Sequence, residues 1–381
     1  MIIFKRLKLL LNKSLNIIAN MTGNIQKKVV FESNNGIQYS CNPRAISEKM
    51  HLLYPDYELI WGMQDDWYKK NNLIPDYVRV VPINSWEYRK QRATAVAYIR
   101  NEAMTVDLVK NKNQLYIQTW HGDRGVKKIL YEAWKGGKRP FPVMDEKLTD
   151  IFVIGSDYAA KRIRAAFRYF GKTLLKGCPR NDCLVVPVNS EKVRLKIGVK
   201  VGQKILLYAP TFRQRSILFQ ANVNIKETLD RLKLHDGHEW ICLVRAHPKS
   251  NGLTVELGPN IIDVSHYPDM ADLLMIADVL ITDYSSSAGD FILRKKPLIL
   301  AQFDLEQYKK EDRSFHVNPN EIGFLIAKTQ EELNYFIDTM TDKDFADNCE
   351  ELLQYFGTHE TGHAAEAVCC AIDEYYQSVK N

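Results

Sequence analysis

Short apolar runs alternate with helical patterns along this chain, and this alternation constrains the fold more than any other feature. The runs are apolar on both faces, which is typical of strands in a parallel sheet that helices cover on both sides. We predict strands at VVFES (29–33), YELIWGM (57–63), VRVVPI (78–83), LYIQTW (115–120), DIFVIGS (150–156), KILLYAP (204–210), EWICLVRAHP (239–248), NIIDVS (260–265), DVLITD (278–283) and PLILA (297–301). The series predicts two α/β units in tandem, with a cleft where the carboxyl ends of their strands meet.

The length of 381 residues exceeds one ordinary core, so two domains are expected. Glycine, proline and asparagine cluster in LKGCPRNDCLVVP (175–187), which favours a join there. We predict one α/β domain at 28–176, a second at 177–345, helices at 346–381 and a separate helix within 1–27.

The composition is that of an ordinary globular protein, with 45% hydrophobic and 26% charged residues. The net charge of +6 is mild and spread along the chain, so it is weak evidence for an anionic partner, and we expect no nucleic acid. The seven cysteines form no CxxC pair, which argues against a disulfide framework and a structural zinc site and favours a reducing cytoplasm.

The N-terminal stretch MIIFKRLKLLLNKSLNIIAN contains Lys5, Arg6, Lys8 and Lys13 and no acidic residue. Its apolar runs are far shorter than the ~20 residues that cross a bilayer, and a signal peptide would need a longer apolar core. The spacing predicts a basic amphipathic helix that lies on an anionic membrane surface. The alternative is a helix that is solvated or packed on a domain.

The stretch LYIQTWHGDRG (115–125) leads a predicted strand directly into a histidine and a turn. His121 then lies at the tip of the strand, followed by Gly122, Asp123, Arg124 and Gly125. A polar turn would explain the pattern structurally. Our hypothesis is that the imidazole meets a substrate there, since loops at strand ends commonly carry binding and catalytic residues.

A second candidate loop, Asp283 to Ser287, follows strand 278–283 and opens the next helix. Backbone N–H groups and the helix dipole favour anions at a helix start, and the hydroxyls of Ser285 and Ser286 add donors. We predict a phosphate site at this strand end. A plain serine N-cap is the alternative, although three serines exceed what capping requires.

Basic and hydroxyl side chains lie at the ends of two further predicted strands and in one predicted turn. RAHP provides Arg245 and His247, APTFRQR provides Thr211 and Arg213, and GCPRND provides Arg180. One such residue alone is more often structural. Because strand carboxyl ends converge on one cleft, the set predicts a pocket that binds a pyrophosphate through arginine, serine and threonine rather than through a metal.

The segment HETGH (359–363) matches the HExxH signature of zinc proteases. That chemistry needs both histidines on one face of a continuous helix, together with a third ligand. Gly357, Thr358 and Gly362 argue against a continuous helix here, so we expect His359 in the turn before a helix and no metal. The sequence contains neither a P-loop signature nor a helix-opening GxGxxG, so a nicotinamide site is not supported.

Taken in order, the motifs QTWHG, GCPRND, YAPTFR, RAHP and DVLITDYSSSAGDF resemble those of the CDP-glycerol glycerophosphotransferases of teichoic-acid synthesis. VVFESNNGIQYSCNPRAI is similar to the family's N-terminal strand and helix, so the resemblance covers about residues 28 to 300. It implies a GT-B-like architecture: two Rossmann-like domains, the first for the acceptor and the second for the CDP donor, with the active site in the interdomain cleft.

The resemblance also implies an activity and its partners. Glycerol phosphate would pass from CDP-glycerol, or a related CDP-polyol, to a hydroxyl of a lipid-linked glycan acceptor, with release of CMP and without a metal or cofactor. The protein would lie peripherally on the cytoplasmic face of the plasma membrane.

Carried over motif by motif, the resemblance implies that His121 is the general base and that His247 and Arg245 contact the pyrophosphate or stabilise the transition state. It implies that donor phosphates or glycerol are held by Arg180, Thr211, Ser285, Ser286 and Asp290. We assign the following to the same substrate-binding set: Arg213, Gly122, Asp123, Arg124 and Gly125. An imidazole can accept an alcohol proton near neutral pH, which agrees with the first assignment.

One departure concerns the donor. The family commonly has Thr-Pro-Leu after WHG, where this chain has Asp123, Arg124 and Gly125, so ribitol phosphate or another alditol phosphate is an alternative to glycerol phosphate. A glycosyltransferase that uses a nucleotide sugar shares the fold, and an inactive binding module docked on a membrane is a third hypothesis. The acceptor, and the choice between a single addition and polymerisation, stay open.

Overall fold

Two compact units make up the chain. The computed structural model describes residues 2–21, 23–65, 73–104, 108–134, 144–186, 188–211, 223–246, 258–311 and 314–380, with the backbone alone at 2–6, 8, 310 and 311. Unit 1 comprises Met1–His121, Trp134–Asp182 and His359–Asn381, and unit 2 comprises Gly122–Ala133 and Cys183–Thr358. The chain therefore passes from unit 1 to unit 2 directly after His121.

Unit 1 is built on a parallel sheet that has seven strands within the described ranges. The strands are β1 (Gln26–Glu32), β2 (Glu58–Met63), β3 (Val78–Pro82), β4 (Ala95–Arg100), β5 (Leu115–Gln118), β6 (Ile151–Ile154) and β7 (Lys172–Leu175). Their order across the sheet is β3-β2-β1-β4-β5-β6-β7. Val29, Val30 and Phe31 of β1 are fully buried, as expected of a strand covered on both faces.

Unit 2 contains a second parallel sheet, with six strands among the described residues. The strands are β8 (Lys204–Ala209), β9 (Trp240–Val244), β10 (Ile261–Asp263), β11 (Val279–Thr282), β12 (Leu298–Ala301) and β13 (Ile326–Ala327). Their order is β10-β9-β8-β11-β12-β13. The inner strands β8 and β11 are buried along nearly their whole length.

Both sheets follow the same winding rule. The chain begins at an inner strand, builds outward to one edge and then returns to build the other half. In such doubly wound sheets, ligands bind at the carboxyl ends of the strands where the winding reverses. The reversal lies between β1 and β4 in unit 1 and between β8 and β11 in unit 2. The prediction of two Rossmann-like α/β units is confirmed.

Helices connect the strands. Those described are α1 (Ile2–Met21), α2 (Cys41–Leu53), α3 (Trp86–Thr94), α4 (Asp145–Leu148), α5 (Asp157–Phe167), α6 (Asp182–Val185), α7 (Glu191–Ile197), α8 (Ile225–Asp236), α9 (Met270–Ile276), α10 (Ser287–Phe291), α11 (Leu305–Glu311), α12 (Gln330–Thr339), α13 (Asp342–Phe356) and α14 (Ala364–Lys380). Local sequence starts several of them; Thr341, for example, forms a capping box with Asp344 before α13. The predicted C-terminal helices are confirmed as the later part of α13 and α14.

The unit boundaries differ from the predicted linear domains. The predicted division after residue 176 falls inside unit 1, which continues to Asp182, and segment 122–133 belongs to unit 2. The tail is shared, since α13 belongs to unit 2 and α14 to unit 1. The Asp182 carboxylate accepts the N–H groups of Ala364 and Ala365 at the start of α14, both at 2.9 Å. Such pairing between distant segments leaves no periodic signal in a sequence.

Helix α1 packs on the rest of unit 1 through its polar side. Asn16 is buried, and its Oδ1 accepts hydrogen bonds from Arg89 and Arg92 of α3, both at 2.7 Å. One turn later, Asn20 donates to the Val109 carbonyl at 2.9 Å. Other side chains are apolar and 43–80% exposed, namely Leu7, Leu10, Leu11, Ile17, Ile18 and Met21. Because a surface helix normally turns its apolar stripe inward, α1 has the reverse orientation.

No helix within the described residues combines the length and the apolar character that crossing a bilayer requires.

Candidate active site

A first candidate site lies at the carboxyl end of β5 in unit 1. Trp120 has a left-handed φ of 49°, a conformation that costs a non-glycine residue about 1–3 kcal/mol. Gln118 holds the turn, because its Oε1 accepts the Trp120 N–H at 2.8 Å. The indole stacks on the His121 imidazole with ring centroids 4.1 Å apart. The turn therefore presents the imidazole at the strand tip, at the position that the sequence predicts.

One hydrogen bond decides how His121 can act. Its Nδ1 lies 2.7 Å from the carbonyl oxygen of Asn101, which follows β4. A carbonyl oxygen only accepts, so Nδ1 carries the proton, and in the neutral ring Nε2 is an acceptor. The side chain is 37% exposed, and the Glu102 carboxylate lies 3.8 Å from Nδ1. The arrangement can take a proton from a hydroxyl at Nε2 and stabilise the imidazolium that forms.

Asn101 is itself anchored at the winding reversal of unit 1. Its side chain is buried, its Oδ1 accepts the Asn34 N–H at 2.8 Å, and its Nδ2 donates to Ser33 Oγ at 3.2 Å. Ser33 and Asn34 follow β1. The carbonyl that orients His121 is therefore held between the ends of β1 and β4, where a doubly wound sheet binds its ligand.

Arg180 is joined to the His121 turn by Asn42, which is buried at the start of α2. The Asn42 amide donates to the carbonyls of Thr119 and Trp120 at 3.2 and 2.9 Å. Its Oδ1 accepts the Arg180 N–H at 3.0 Å. Unit 1 thus brings together two residues that the sequence singled out, although they lie almost sixty positions apart.

A second candidate site lies at the winding reversal of unit 2. Asp283 follows β11, and its carboxylate accepts the Thr211 N–H at 3.0 and 3.1 Å. Thr211 follows β8. This contact ties together the two loops in which the sequence predicts phosphate-binding groups.

The serines of this loop have different local roles. Ser285 Oγ accepts the Ser287 N–H at 3.2 Å and the Ser287 hydroxyl at 2.9 Å, so the Ser285 side chain stabilises the turn that opens α10. Ser286 makes no side-chain capping bond at the start of α10. The Ser286 hydroxyl is the one that capping does not use.

The turn after His121 anchors in unit 2. The Arg124 side chain is fully buried, with Nη2 3.4 Å from Asp290 and Nη1 3.3 Å from Asp123. Its Nε donates to the carbonyl of Gly289 in α10. Arg124 has no accessible side-chain surface and positions this segment; its assignment to the substrate-binding set stays a prediction.

Asp123 and Asp290 belong to the same buried group. Their side chains are 3% and 7% exposed, whereas Gly122 and Gly125 are half-buried. The Asp-Arg-Gly stretch that departs from the family pattern thus contains an ion-pair anchor of the chain.

Three other predicted residues follow strand ends of unit 2. Arg245 follows β9 and is half-buried, and its N–H donates to the Tyr208 carbonyl at 2.9 Å. Arg213 and His247 lie outside the described residues. Their roles stay predictions.

The HETGH segment lies in the loop before α14. His359 Nε2 is 3.0 Å from Asp157, and the Glu360 carboxylate accepts the Cys178 N–H at 2.8 Å and the Asn181 side-chain amide at 2.9 Å. Glu360 therefore supports the turn that carries Arg180. Among the described residues, no group of three or more His, Cys, Asp or Glu side chains could hold a metal ion.

Sequence reasoning missed the buried residues that orient these side chains. Asn42, Asn101 and Gln118 make the contacts that define the His121 turn, and Asp283 joins two loops of unit 2. Their shared signal is position, since each lies at or next to the carboxyl end of a strand or the start of a helix. That signal also marks ordinary caps.

The family model for CDP-Glycerol:Poly(glycerophosphate) glycerophosphotransferase matches residues 16–374. The chain belongs to this family. The match includes both winding reversals and His121. The predicted family is therefore confirmed, and with it the family's place in teichoic-acid synthesis among its curated relatives.

Members of this glycerophosphotransferase family that resemble the chain include enzymes of staphylococci. The teichoic acid poly(glycerol phosphate) polymerase of Staphylococcus epidermidis is 32% identical over 324 residues, which are 80% of this chain and 44% of that protein. The teichoic acid glycerol-phosphate transferase of Staphylococcus aureus is 29% identical over 370 residues, 90% and 92% of the two chains. The chain spans about half the length of two curated polymerases that it matches, 44% and 46%.

The solved structure of the wall teichoic acid polymerase TagF has the same fold. It superimposes with a TM-score of 0.82 at 27% identity, over 99% of this chain and 97% of that chain. A TagF variant has also been solved after a soak with CDPG. The likeness confirms the GT-B-like fold class.

Proposed function

We propose that this protein transfers glycerol phosphate from CDP-glycerol to a hydroxyl of a lipid-linked cell-envelope glycan or teichoic-acid-like acceptor and releases CMP. Membership of the glycerophosphotransferase family supports the donor and the reaction class. The observation that carries the assignment of the base is the bond from His121 Nδ1 to the Asn101 carbonyl, because it leaves Nε2 as an acceptor.

In the proposed reaction, Nε2 of His121 accepts the proton of the acceptor hydroxyl as its oxygen attacks the phosphorus of the glycerol phosphate group. The bond from that phosphorus to the bridging oxygen breaks, and CMP leaves with the electron pair. Cationic and hydroxyl groups bind the donor phosphates and take up the charge on the leaving group. We assign this role to Arg180, Thr211, Arg213, Arg245, His247, Ser285 and Ser286.

The test follows CMP release from CDP-glycerol in the presence of a membrane fraction. CDP-ribitol and UDP-glucose serve as competing donors. We expect acceptor-dependent CMP release that is fastest with CDP-glycerol. Faster turnover of CDP-ribitol would change the assigned polyol from glycerol to ribitol. UDP release from UDP-glucose would favour a glycosyltransferase instead.

We also propose that α1 lies on an anionic membrane surface at the cytoplasmic face of the plasma membrane. Its exposed apolar side chains and the exposed Lys13 support this placement, as does the absence of acidic residues from the stretch 1–20. Apolar insertion and attraction to anionic lipid are the two terms that hold an interfacial helix. A lipid-linked acceptor would lie on the same surface.

A further inference from the structure

A polar cavity of about 240 Å³ lies beneath α1 in unit 1. Its lining comes from α1, α3 and the ends of β1 to β4, and the charged residues among those described are Glu32, Arg89, Arg92 and Arg100. Pockets for drug-sized ligands are about 300–1,000 Å³, so this volume suits a smaller group. None of the site residues proposed above lines it.

The one carboxylate in this lining is already neutralised. Glu32 Oε1 forms an ion pair with Arg100 Nη2 at 2.8 Å, and both side chains are buried, at 7% and 6% exposure. Glu32 Oε2 accepts the hydroxyls of Tyr88 and Tyr98, both at 2.7 Å. Arg100 and Glu32 therefore cancel within the wall of the cavity, and the net charge that the cavity presents comes from other residues.

Arg92 and Arg89 supply that charge. Arg92 Nη2 donates to Asn16 Oδ1 at 2.7 Å, and the guanidinium carbon of Arg92 lies 5.7 Å from the ring centroids of Tyr88 and Tyr98. Arg89 donates to the same amide oxygen at 2.7 Å. An amide oxygen carries no net charge, so it does not neutralise the Arg92 guanidinium, and no carboxylate of the described residues forms an ion pair with Arg92.

We propose that this cavity, the arginine cavity, binds a phosphate ester through Arg92. A planar guanidinium matches two phosphate oxygens, and such charge-assisted bonds are stronger than neutral ones. Asn35 lines the cavity, and its neighbour Asn34 bonds to Asn101, whose carbonyl orients His121. The loop after β1 thus contributes both to the cavity and to the support of the base.

This juxtaposition identifies the phosphate ester as one carried by the acceptor, next to the hydroxyl that reacts. That identification rests on the proposed function, whereas phosphate binding by the cavity does not. The two can therefore be measured separately.

Direct binding tests the cavity. In calorimetry we expect sn-glycerol 3-phosphate, but not glycerol, to bind the wild-type protein saturably, and Arg92→Gln to weaken that binding about tenfold or more. Lys90→Gln is the matched control, because Lys90 is exposed on α3 and its loss changes the charge equally. Equal affinity in wild type and Arg92→Gln, or no saturable binding in wild type, would overturn the proposal.

A second variant covers the case in which Arg92→Gln fails to fold. Asn16→Asp places a carboxylate where Arg89 and Arg92 converge and so occupies the cavity from within. We expect this variant to unfold at or above the wild-type temperature and to lose binding of glycerol 3-phosphate. Wild-type affinity in a folded Asn16→Asp protein contradicts the proposal.

Steady-state kinetics tests the source of the phosphate. Arg92→Gln should raise KM for an acceptor that bears a phosphate ester and leave KM unchanged for an uncharged acceptor. If it instead weakens binding to phosphatidylglycerol vesicles and leaves both KM values unchanged, the ligand is a lipid headgroup and the acceptor assignment fails. If the protein releases CMP but does not bind glycerol 3-phosphate, phosphate binding by the cavity is rejected and the proposed function stands. If it binds glycerol 3-phosphate but does not release CMP, the proposed function is rejected and phosphate binding by the cavity stands.

Discussion

At the residue scale, the chemistry depends on which nitrogen of His121 carries the proton. The Asn101 carbonyl holds that proton on Nδ1 at 2.7 Å, and Asn101 is fixed by the loop after β1. A histidine at a strand tip is ordinary by itself. The orienting carbonyl turns this one into a candidate base, because a base needs a lone pair directed toward the substrate.

The first prediction concerns this imidazole. His121→Ala should lower CMP release about 10²–10⁴-fold, the usual contribution of a general base. Its unfolding temperature should stay close to wild type, since the side chain is 37% exposed. The matched control is His363→Ala, because His363 is 66% exposed in the loop before α14 and should retain activity. If CMP release falls only a few-fold in the folded His121→Ala variant, His121 is not the general base.

The second prediction concerns Asp145, which supports Gln118 beneath the His121 turn. Its carboxylate accepts from Met104 N–H and Gln118 Nε2 at 2.7 Å and from the Tyr116 hydroxyl at 2.8 Å. Burial raises the pKa of Asp145 in spite of these donors. The folded protein therefore holds the proton more tightly than the unfolded chain, so this contribution to stability is complete below the ordinary carboxyl pKa and is lost as pH rises through the raised one.

Urea denaturation at several pH values measures this effect. The unfolding free energy of wild type minus that of Asp145→Asn should decrease as pH rises through that window, because the amide does not titrate. A difference that increases with pH would mean that the hydrogen bonds outweigh burial.

At the element scale, two groups of buried polar contacts hold segments of the chain against their neighbours. Arg124 fastens the segment after His121 to α10, and the asparagine side of α1 fastens that helix to α3. In each case one element is held by buried polar contacts, which sequence periodicity does not reveal.

Gly289 tests the first of these contacts. A Cβ at this position would lie 2.6 Å from Arg124 Cβ and 2.8 Å from the Arg124 carbonyl oxygen. Gly289→Ala should therefore separate segment 122–133 from α10 and destabilise unit 2 by about 1–3 kcal/mol, the usual range for overpacking. Gly258→Ala is the control, because a Cβ there meets nothing within 4 Å. Equal unfolding free energies for the two variants would show that Arg124 shifts away from residue 289 without loss of stability.

The exposed side of α1 tests the second element. The double variant Leu10→Gln, Leu11→Gln should bind phosphatidylglycerol vesicles about tenfold or more weakly, since each residue loses apolar burial in the interface. High salt should weaken the wild-type protein only in part, because it screens the basic residues and not the apolar stripe. Vesicle sedimentation measures both effects.

The matched control for α1 is Leu52→Gln, Leu53→Gln. These adjacent leucines of α2 are 73% and 43% exposed, so their change removes comparable surface elsewhere on unit 1. We expect this control to sediment like wild type. Equal sedimentation of the two double variants would contradict membrane docking through α1.

At the scale of the whole molecule, the two sheets share one winding rule but carry different chemistry. The reversal in unit 1 holds an imidazole oriented by a carbonyl, whereas the reversal in unit 2 holds hydroxyl and N–H groups around Asp283. The proposed function assigns proton transfer to the first and binding of the CDP donor to the second.

This division of roles predicts a separation of effects. Ser286→Ala should weaken CDP binding in calorimetry about tenfold, the cost of losing one hydrogen bond to a charged group, while His121→Ala should bind CDP like wild type. Ser190→Ala is the control, because Ser190 also precedes a helix of unit 2 without a side-chain capping bond. If His121→Ala abolishes CDP binding and Ser286→Ala does not, the assignment of roles is reversed.

The fold class could be predicted from the sequence because the information lies in local pattern. Strands buried on both faces must be apolar throughout, and turn residues must separate them, so β1, β5, β8 and β11 all lie within or beside predicted strands. The position of His121 at the end of a strand follows from the same pattern. The family could be recognised because its motifs are short and contiguous.

Tertiary structure alone decided the rest, because those properties depend on contacts between distant segments. The tautomer of His121 is set by Asn101, twenty positions away, and Arg180 reaches the His121 turn through Asn42. In the sequence, Arg124 resembles a ligand-binding arginine. Only the tertiary structure shows that it is completely buried beside Asp290 and anchors the chain. The sequence determines that α1 is amphipathic; packing decides that its asparagines face the protein and its leucines face outward, since hydrogen bonds from two arginines favour the polar side.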